Sequence, residues 1–304
     1  MSESKGGDCL KKYTRTDLAC EKNGDDGVRI FDKRERRIGP FLIESAELEK
    51  ASEDGEGEEI GSYVTFHCGR VTLLGESAEE MLVALLAGEI RGMCERACGG
   101  RSVPSLSIFV AGLGNASLTA DAIGPRTVAA MTVTRHLCEH EAELFDSLGC
   151  NSICALAPGV LGQTGIETVE VLRGAVSGVK PDVIIAIDAL AARSCERLAT
   201  TIQITSMGIS PGSGVGNERK AINESTMGVP VISIGVPTVV NSATLVYDAL
   251  RNAGIEEVDP AVLNVLEQGM SFFVSPKDSD LIVERISKLL ARALNRAFVG
   301  RILD

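Results

Sequence analysis

Four apolar residues, Ile108-Phe109-Val110-Ala111, stop at Gly112-Leu113-Gly114-Asn115, and no other stretch constrains this chain as much. The run reads as a buried strand and the glycines as a tight turn at its carboxyl end. A short loop leads to Asp121, then Gly124-Pro125, and a helical pattern sets in near Thr127. Strand, glycine turn, lone carboxylate and helix start are the parts from which α/β proteins build a site at the carboxyl edge of a sheet. A second carboxylate stands in a similar place: Asp188 closes the apolar strand Val183-Ile184-Ile185-Ala186-Ile187. Pro125 belongs in a helix's first turn, which sets Asp121 near that helix's positive end and favours its ionised form. Two carboxylates about 3 Å apart cannot both ionise, so they divide into acid and base. At a larger separation they flank a metal ion instead. Both geometries are open to Asp121 and Asp188 on the sequence.

The rest of the chain supplies the sheet around them. Apolar strands at 106–111, 153–157, 183–188, 201–207 and 229–236 alternate with helical patterns at 125–142, 164–176 and 238–252. This alternation predicts a single α/β domain with a mostly parallel twisted sheet and helices on both faces. With 44% apolar residues, no Trp and few aromatics, the core rests on Val, Ile, Leu and Ala, as in a parallel sheet covered on both sides. Further helices are predicted at 79–97, 259–269 and 280–299. Residues 38–43 read as a strand, 63–74 as a hairpin or edge strand, and 44–59 as an exposed acidic loop.

Composition also excludes. A net charge of −12 argues against a nucleic-acid surface. No apolar stretch reaches the ~18 residues of a membrane span, and the polar N-terminus carries no secretory signal. Nine scattered cysteines without a Cys-x-x-Cys pair read as free thiols of a reducing cytoplasm. Gly112-x-Gly114 is half of a dinucleotide fingerprint, but Ser117 stands where the third glycine belongs. Pro211-Gly212-Ser213-Gly214-Val215-Gly216-Asn217 also misses that spacing and reads as a substrate-lining or structural loop. His136 and His140 share a helix face but sit in His-Leu-Cys-Glu-His, without a third zinc ligand, and read as surface residues. Ser213 has no histidine that the sequence positions for a triad.

The motifs, taken in order, carry a resemblance. Gly112–Asn115 with Thr119–Arg126 resembles the germination proteases of spore-forming bacteria. So do Leu156–Val160 with Gly162–Gly165, Ile187–Arg193, Gly208–Arg219, and Gly228–Ile232 with Gly235–Thr238. Tyr13-x-Arg15-Thr16-Asp17-Leu18-Ala19 fits the same pattern. The resemblance implies an endopeptidase that degrades the small acid-soluble DNA-coating proteins of the spore core during germination. It implies a homotetramer in the forespore or spore cytoplasm, with no direct nucleic-acid or membrane partner. It also implies a zymogen whose propeptide, residues 1–17, is removed from a peptidase domain, residues 18–304. Family substrates are cut after an acidic and before an apolar residue, and Thr16-Asp17-Leu18-Ala19-Cys20-Glu21 mimics such a site. Self-cleavage between Asp17 and Leu18 is therefore expected.

A more distant resemblance, to hydrogenase-maturation endopeptidases, falls on Gly112–Asn115, Asp121 and Asp188–Ala189, and implies a phosphorylase/hydrolase-like fold. Those enzymes add a metal-coordinating histidine that has no counterpart here. The expectation is thus catalysis by Asp121 and Asp188 without a cofactor; the alternatives are a metal-dependent processing endopeptidase of the hydrogenase-maturation type, with the metal at the pair, and a non-catalytic peptide-binding protein on the same fold. Asn115 and Gly214 line the substrate in this reading. Arg126, Arg193 or Arg219 pairs with the acidic residue before the cut, since the guanidinium fork matches a carboxylate. Backbone N–H groups of a glycine loop hold the oxyanion.

Overall fold

The computed structural model describes Leu18 and residues 28–51, 58–212, 219–255, 259–268 and 272–299. Nine strands are described: Val28–Ile38 (β1), Phe41–Ala51 (β2), Glu58–His67 (β3), Ser107–Gly112 (β4), Ser152–Leu156 (β5), Val183–Ala192 (β6), Thr201–Thr205 (β7), Val231–Asn241 (β8) and Phe273–Val274 (β9). They form one sheet in the order β1-β2-β3-β7-β8-β6-β4-β5, with β9 added to β8. The helices that matter below are Glu76–Ala97 (α1), Ile123–Ala130 (α2), Arg135–His140 (α3), Leu161–Thr164 (α4), Thr168–Val179 (α5), Ser242–Asn252 (α6) and Ser279–Phe298 (α7).

The α/β architecture with helices on both faces is as expected, and the sheet itself is mixed. Strands β8, β6, β4 and β5 run parallel. The pairings β1–β2, β2–β3, β3–β7 and β7–β8 are antiparallel. In the parallel part, alternate residues enter two cores, as the two-residue period of a strand dictates. Ile108, Val110, Val183, Ile185, Ile187 and Ile232 pack under α1 and α7. Phe109, Ala111, Ile184 and Ala186 pack under α5.

The N-terminal third departs most from its expected form. The acidic stretch 44–59 is strand over 44–51 and 58–59, and only 52–57 lie outside the described residues. The charged run before residue 38 is strand β1. The reason is cross-strand support. Glu47 accepts the Ser62 hydroxyl at 3.0 Å, His67 Nε2 lies 2.5 Å from Glu44 Oε2, and Arg36 reaches Glu89 of α1 at 3.1 Å. Polar side chains on a partly solvated antiparallel ribbon need no second core. Strand β3 is not an edge, because β7 pairs with its other side.

The helix expected over 125–142 begins at Ile123, ends at Ala130, and resumes as α3. The β-branched run Thr132-Val133-Thr134 explains the break. Its backbone finds partners elsewhere: the Thr132 N–H donates to Asn295 Oδ1 at 3.0 Å, and the Thr134 N–H to the Ile153 carbonyl at 3.0 Å. His136 and His140 are exposed on α3, and the seven cysteines among the described residues are free thiols. Among the described residues, no helix is long and apolar enough to cross a membrane.

Candidate active site at the ends of β4 and β6

Strand β4 stops where the sequence changes from apolar residues to glycine, and the glycines are required by contact. A Cβ on Gly112 would lie 2.3 Å from the Gly124 carbonyl oxygen. A Cβ on Gly124 would lie 2.4 Å from the Leu113 oxygen and 2.5 Å from the Ile187 oxygen. The turn after β4, the first turn of α2 and the middle of β6 thus meet backbone to backbone. The Leu113 N–H donates to the Ile187 carbonyl at 2.8 Å and carries the β4–β6 pairing one residue past the strand.

Asp121 is set by this junction. It ends a 3-10 turn, Thr119–Asp121, and its N–H donates to the Leu118 carbonyl at 2.8 Å. Its Oδ2 accepts the Asn115 N–H at 2.8 Å. Gly114, at φ +105°, leaves room for this carboxylate: a Cβ there would sit 2.1 Å from the Asp121 oxygen and 2.8 Å from its Oδ1. Two further elements pin the turn. Thr238 Oγ1 of β8 donates to the Ala120 carbonyl at 2.6 Å, and Thr119 Oγ1 donates to Asp280 of α7 at 2.6 Å. Thr238 is the residue skipped where the β6–β8 register shifts from Leu190↔Pro237 to Ala191↔Val239. A bulge of this kind re-aims a side chain, here onto the Asp121 loop. Burial raises the Asp121 carboxyl above its ordinary value, and the Asn115 N–H partly offsets this.

Asp188 does not close its strand. It lies inside β6, which continues to Ala192 in partnership with β8. What ends there is the neighbour on the other side: β4 pairs with β6 only as far as Gly112↔Ile187. Asp188 is therefore the first residue of β6 beyond β4, next to the Ile187 carbonyl on which the glycine turn rests. It is 6% exposed, and its Oδ1 accepts the Ala189 N–H at 2.9 Å. Across the sheet it is in register with Gly235, and Gly235 in turn with Gln203. Gln203 is buried on the same face, about 10 Å from Asp188 at the spacing of two strand intervals.

The remaining expected site residues divide. Asn115 is at the centre: its N–H holds Asp121, and its Oδ1 accepts the Ser117 N–H at 2.9 Å and Gln163 Nε2 at 2.7 Å. Gln163, from α4 after β5, was not among the expected site residues. Its only sequence signal is its place in Gly162-Gln163-Thr164-Gly165. Each of the three arginines has an acidic neighbour. Arg193 pairs with Asp248 of α6 at 3.5 Å, and Arg219 with Glu167, just before α5, at 3.1 Å. Arg126, half-buried in α2, lies within electrostatic reach of Glu284 of α7. Two N–H groups of the glycine turn, those of Leu113 and Asn115, are engaged internally, so an oxyanion contact does not fall on them. Gly214 and Asp17 lie outside the described residues. Leu18 is fully buried. Chemically, the junction presents a desolvated carboxylate, fixed by one N–H, beside a strand that carries a second carboxylate.

The chain matches the family model described as germination protease over residues 10–253. It is 38% identical to a germination protease of Clostridium acetobutylicum over 314 residues, covering 93% of this chain and 94% of that one. It is also 38% identical to one of Caldanaerobacter subterraneus, covering 93% of each. Among solved structures, a hydrogenase maturation protease from Thermococcus kodakarensis aligns at 16% identity over 63% of this chain and 94% of its own, with a TM-score of 0.32.

Proposed function

The chain belongs to the germination protease family, and from that premise we propose that Asp121 and Asp188 are the catalytic pair of an endopeptidase that matures itself by cutting between Asp17 and Leu18. That it is a peptidase, a hydrolase acting on protein substrates, follows from the family. The finer reading has several parts. The substrates are the small acid-soluble DNA-coating proteins of the spore, residues 1–17 are a propeptide, and the working form is a homotetramer in the spore cytoplasm.

The observation that carries the catalytic assignment is the backbone junction of Gly112, Gly124 and Ile187, which presses the Asp121 loop against the strand of Asp188. Ionised Asp121 takes one proton from a water molecule as the oxygen attacks the scissile carbonyl carbon. Asp188, protonated, delivers its proton to the leaving nitrogen as the C–N bond breaks. One water is consumed, a carboxyl and an amine are released, and a proton passed from Asp121 to Asp188 restores the pair. An ordinary carboxylate is a weak base near neutral pH. Desolvation of Asp121 moves its proton affinity toward the working range, the direction that general-base catalysis needs. Gln163 acts through Asn115: by holding the Asn115 side chain, it fixes the N–H that orients Asp121.

The test is a peptide copying residues 12–24, incubated with protein that starts at Leu18, with and without a strong chelator, and read by mass. Cleavage after Asp17 in both tubes supports the pair. Cleavage abolished by chelator and restored by metal would make Asp121 and Asp188 metal ligands instead.

A further inference from the structure

Leu18 has no exposed surface. It packs against Leu190 and Ala192 of β6, with Leu198 and Ile209 at the margin. Residues at i and i+2 of a strand share a face, so Leu190 stands on the Asp188 side of the sheet, about 6.6 Å further along. The β6–β8 register shift falls after Leu190 and leaves that relation intact. Gly235, in register with Asp188, has no side chain, and a Cβ there would come within 2.3 Å of Leu190 Cδ1. Leu190 therefore leans over Gly235 and walls the Leu18 site on its catalytic side. The walls named here are all aliphatic. A leucine fills them, an alanine leaves a cavity, and a carboxylate is buried without a partner.

We propose that this pocket receives the apolar residue that follows the cut bond, and that in the uncut chain Leu18 occupies it in cis. The occupied pocket brings the amine side of the 17–18 bond toward Asp188 and shuts other peptides out. After the cut, Leu18 begins a free end and vacates the pocket for substrate. This deepens the endopeptidase reading above and rests on it.

The test uses protein that starts at Leu18 and peptides copying residues 12–24 with Leu, Ala, Phe or Asp at position 18. The leucine peptide should exceed the alanine peptide in kcat/KM by on the order of tenfold to a hundredfold, the span that burial of a leucine side chain supplies. The aspartate peptide should not be cut. Ala192→Leu fills the pocket, so the kcat/KM ratio of the leucine peptide to the alanine peptide should fall about tenfold or more. Ile209→Ala, at the half-buried margin where folding is less at risk, should narrow the preference for leucine. Variants that keep the wild-type melting temperature but slow all four peptides equally, or leave the preference unchanged, would overturn the assignment.

If wild-type protein cuts none of the peptides, the endopeptidase reading fails, and the pocket is judged by binding alone. Labelled leucine and alanine peptides are then titrated onto the Asp121→Asn protein that starts at Leu18. A gap abolished by Ala192→Leu supports the pocket, and equal binding refutes it. Occupancy in cis is read on full-length Asp121→Asn protein: adding Leu18→Asp should strengthen leucine-peptide binding about tenfold, and unchanged binding would refute it.

Discussion

The sheet changes character between β7 and β8, and the two sides carry different duties. From β8 to β5 the strands are parallel, apolar on both faces and covered by helices on each. Their carboxyl ends meet through glycines so close that a single Cβ would strike backbone. From β1 to β7 the strands are antiparallel and pack Phe41, Ile43, Val64, Phe66, Ile202 and Ile204 into one core. The opposite face of β3 and β7 buries polar side chains, Thr65, Gln203 and Thr205. One half positions two carboxylates with little freedom. The other extends the sheet with contacts of which many are exposed and individually weak. Substitutions in the two halves should therefore differ in size and in kind.

The largest effect should follow Gly124→Ala. The added methyl meets the carbonyl oxygens of Leu113 and Ile187, and neither can swing aside as a side chain would. A loss of about 3 kcal/mol or more in urea unfolding, or no folded protein, is expected. Wild-type stability would show that the junction yields.

Asp121→Asn comes next and separates chemistry from folding. Activity should fall by about two to four orders of magnitude, while the Asn carbonyl still accepts the Asn115 N–H. The effect on stability has the opposite sign. Burial raises the Asp121 pKa above its ordinary 3.8, so the folded chain binds more protons than the unfolded chain between those two values. Stability attached to this group is present in acid and lost as pH rises through that window. At neutral pH, Asp121→Asn should melt at or above the wild-type temperature, and the gap should close as pH falls below the ordinary carboxylate range. By the same shift, the acid limb of the wild-type kcat/KM profile should lie above the ordinary aspartate value of 3.8. A variant that melts lower at neutral pH would contradict the desolvated carboxylate.

Smaller effects sharpen the contrast. Gln163→Ala removes a hydrogen bond from an exposed residue, so stability should move by no more than about 0.5 kcal/mol. Activity should nevertheless drop about tenfold if the hold on Asn115, worth about 1 kcal/mol, is spent on orienting Asp121. In the antiparallel half, Glu44→Gln weakens the half-exposed contact with His67; a cost below about 1 kcal/mol and unchanged activity are expected. The least effect, and a favourable one, belongs to Gly88→Ala. This glycine is exposed inside α1 with nothing within 4 Å of a new Cβ, and about 1 kcal/mol of added stability is expected in thermal unfolding.

The same division explains what the sequence disclosed. The parallel half was legible because apolar runs, glycine turns and helix starts are local signals. Asp121 beside the turn after β4 is the plainest instance. Asp188 was legible as a residue but not as a position. The apolar run stops there, yet Ala189 to Ala192 stay in the sheet because β8 continues beside them, and no local signal reports that pairing. The link between Gln163 and Asn115 spans 48 residues and has no sequence trace beyond a glycine-flanked motif. In the antiparallel half, the charges of 44–59 suggested an exposed loop, because strands supported by Ser62, His67 and α1 carry their polar residues outward.

The central claim is that two carboxylates, held together by the β4–β6 junction, cut this chain after Asp17. The most direct measurement is the intact mass of full-length wild-type, Asp121→Asn and Asp188→Asn proteins, incubated side by side with chelator present. The account predicts that wild type loses residues 1–17 and that both variants keep them while melting as folded proteins. Loss of residues 1–17 from either variant at the wild-type rate would contradict it.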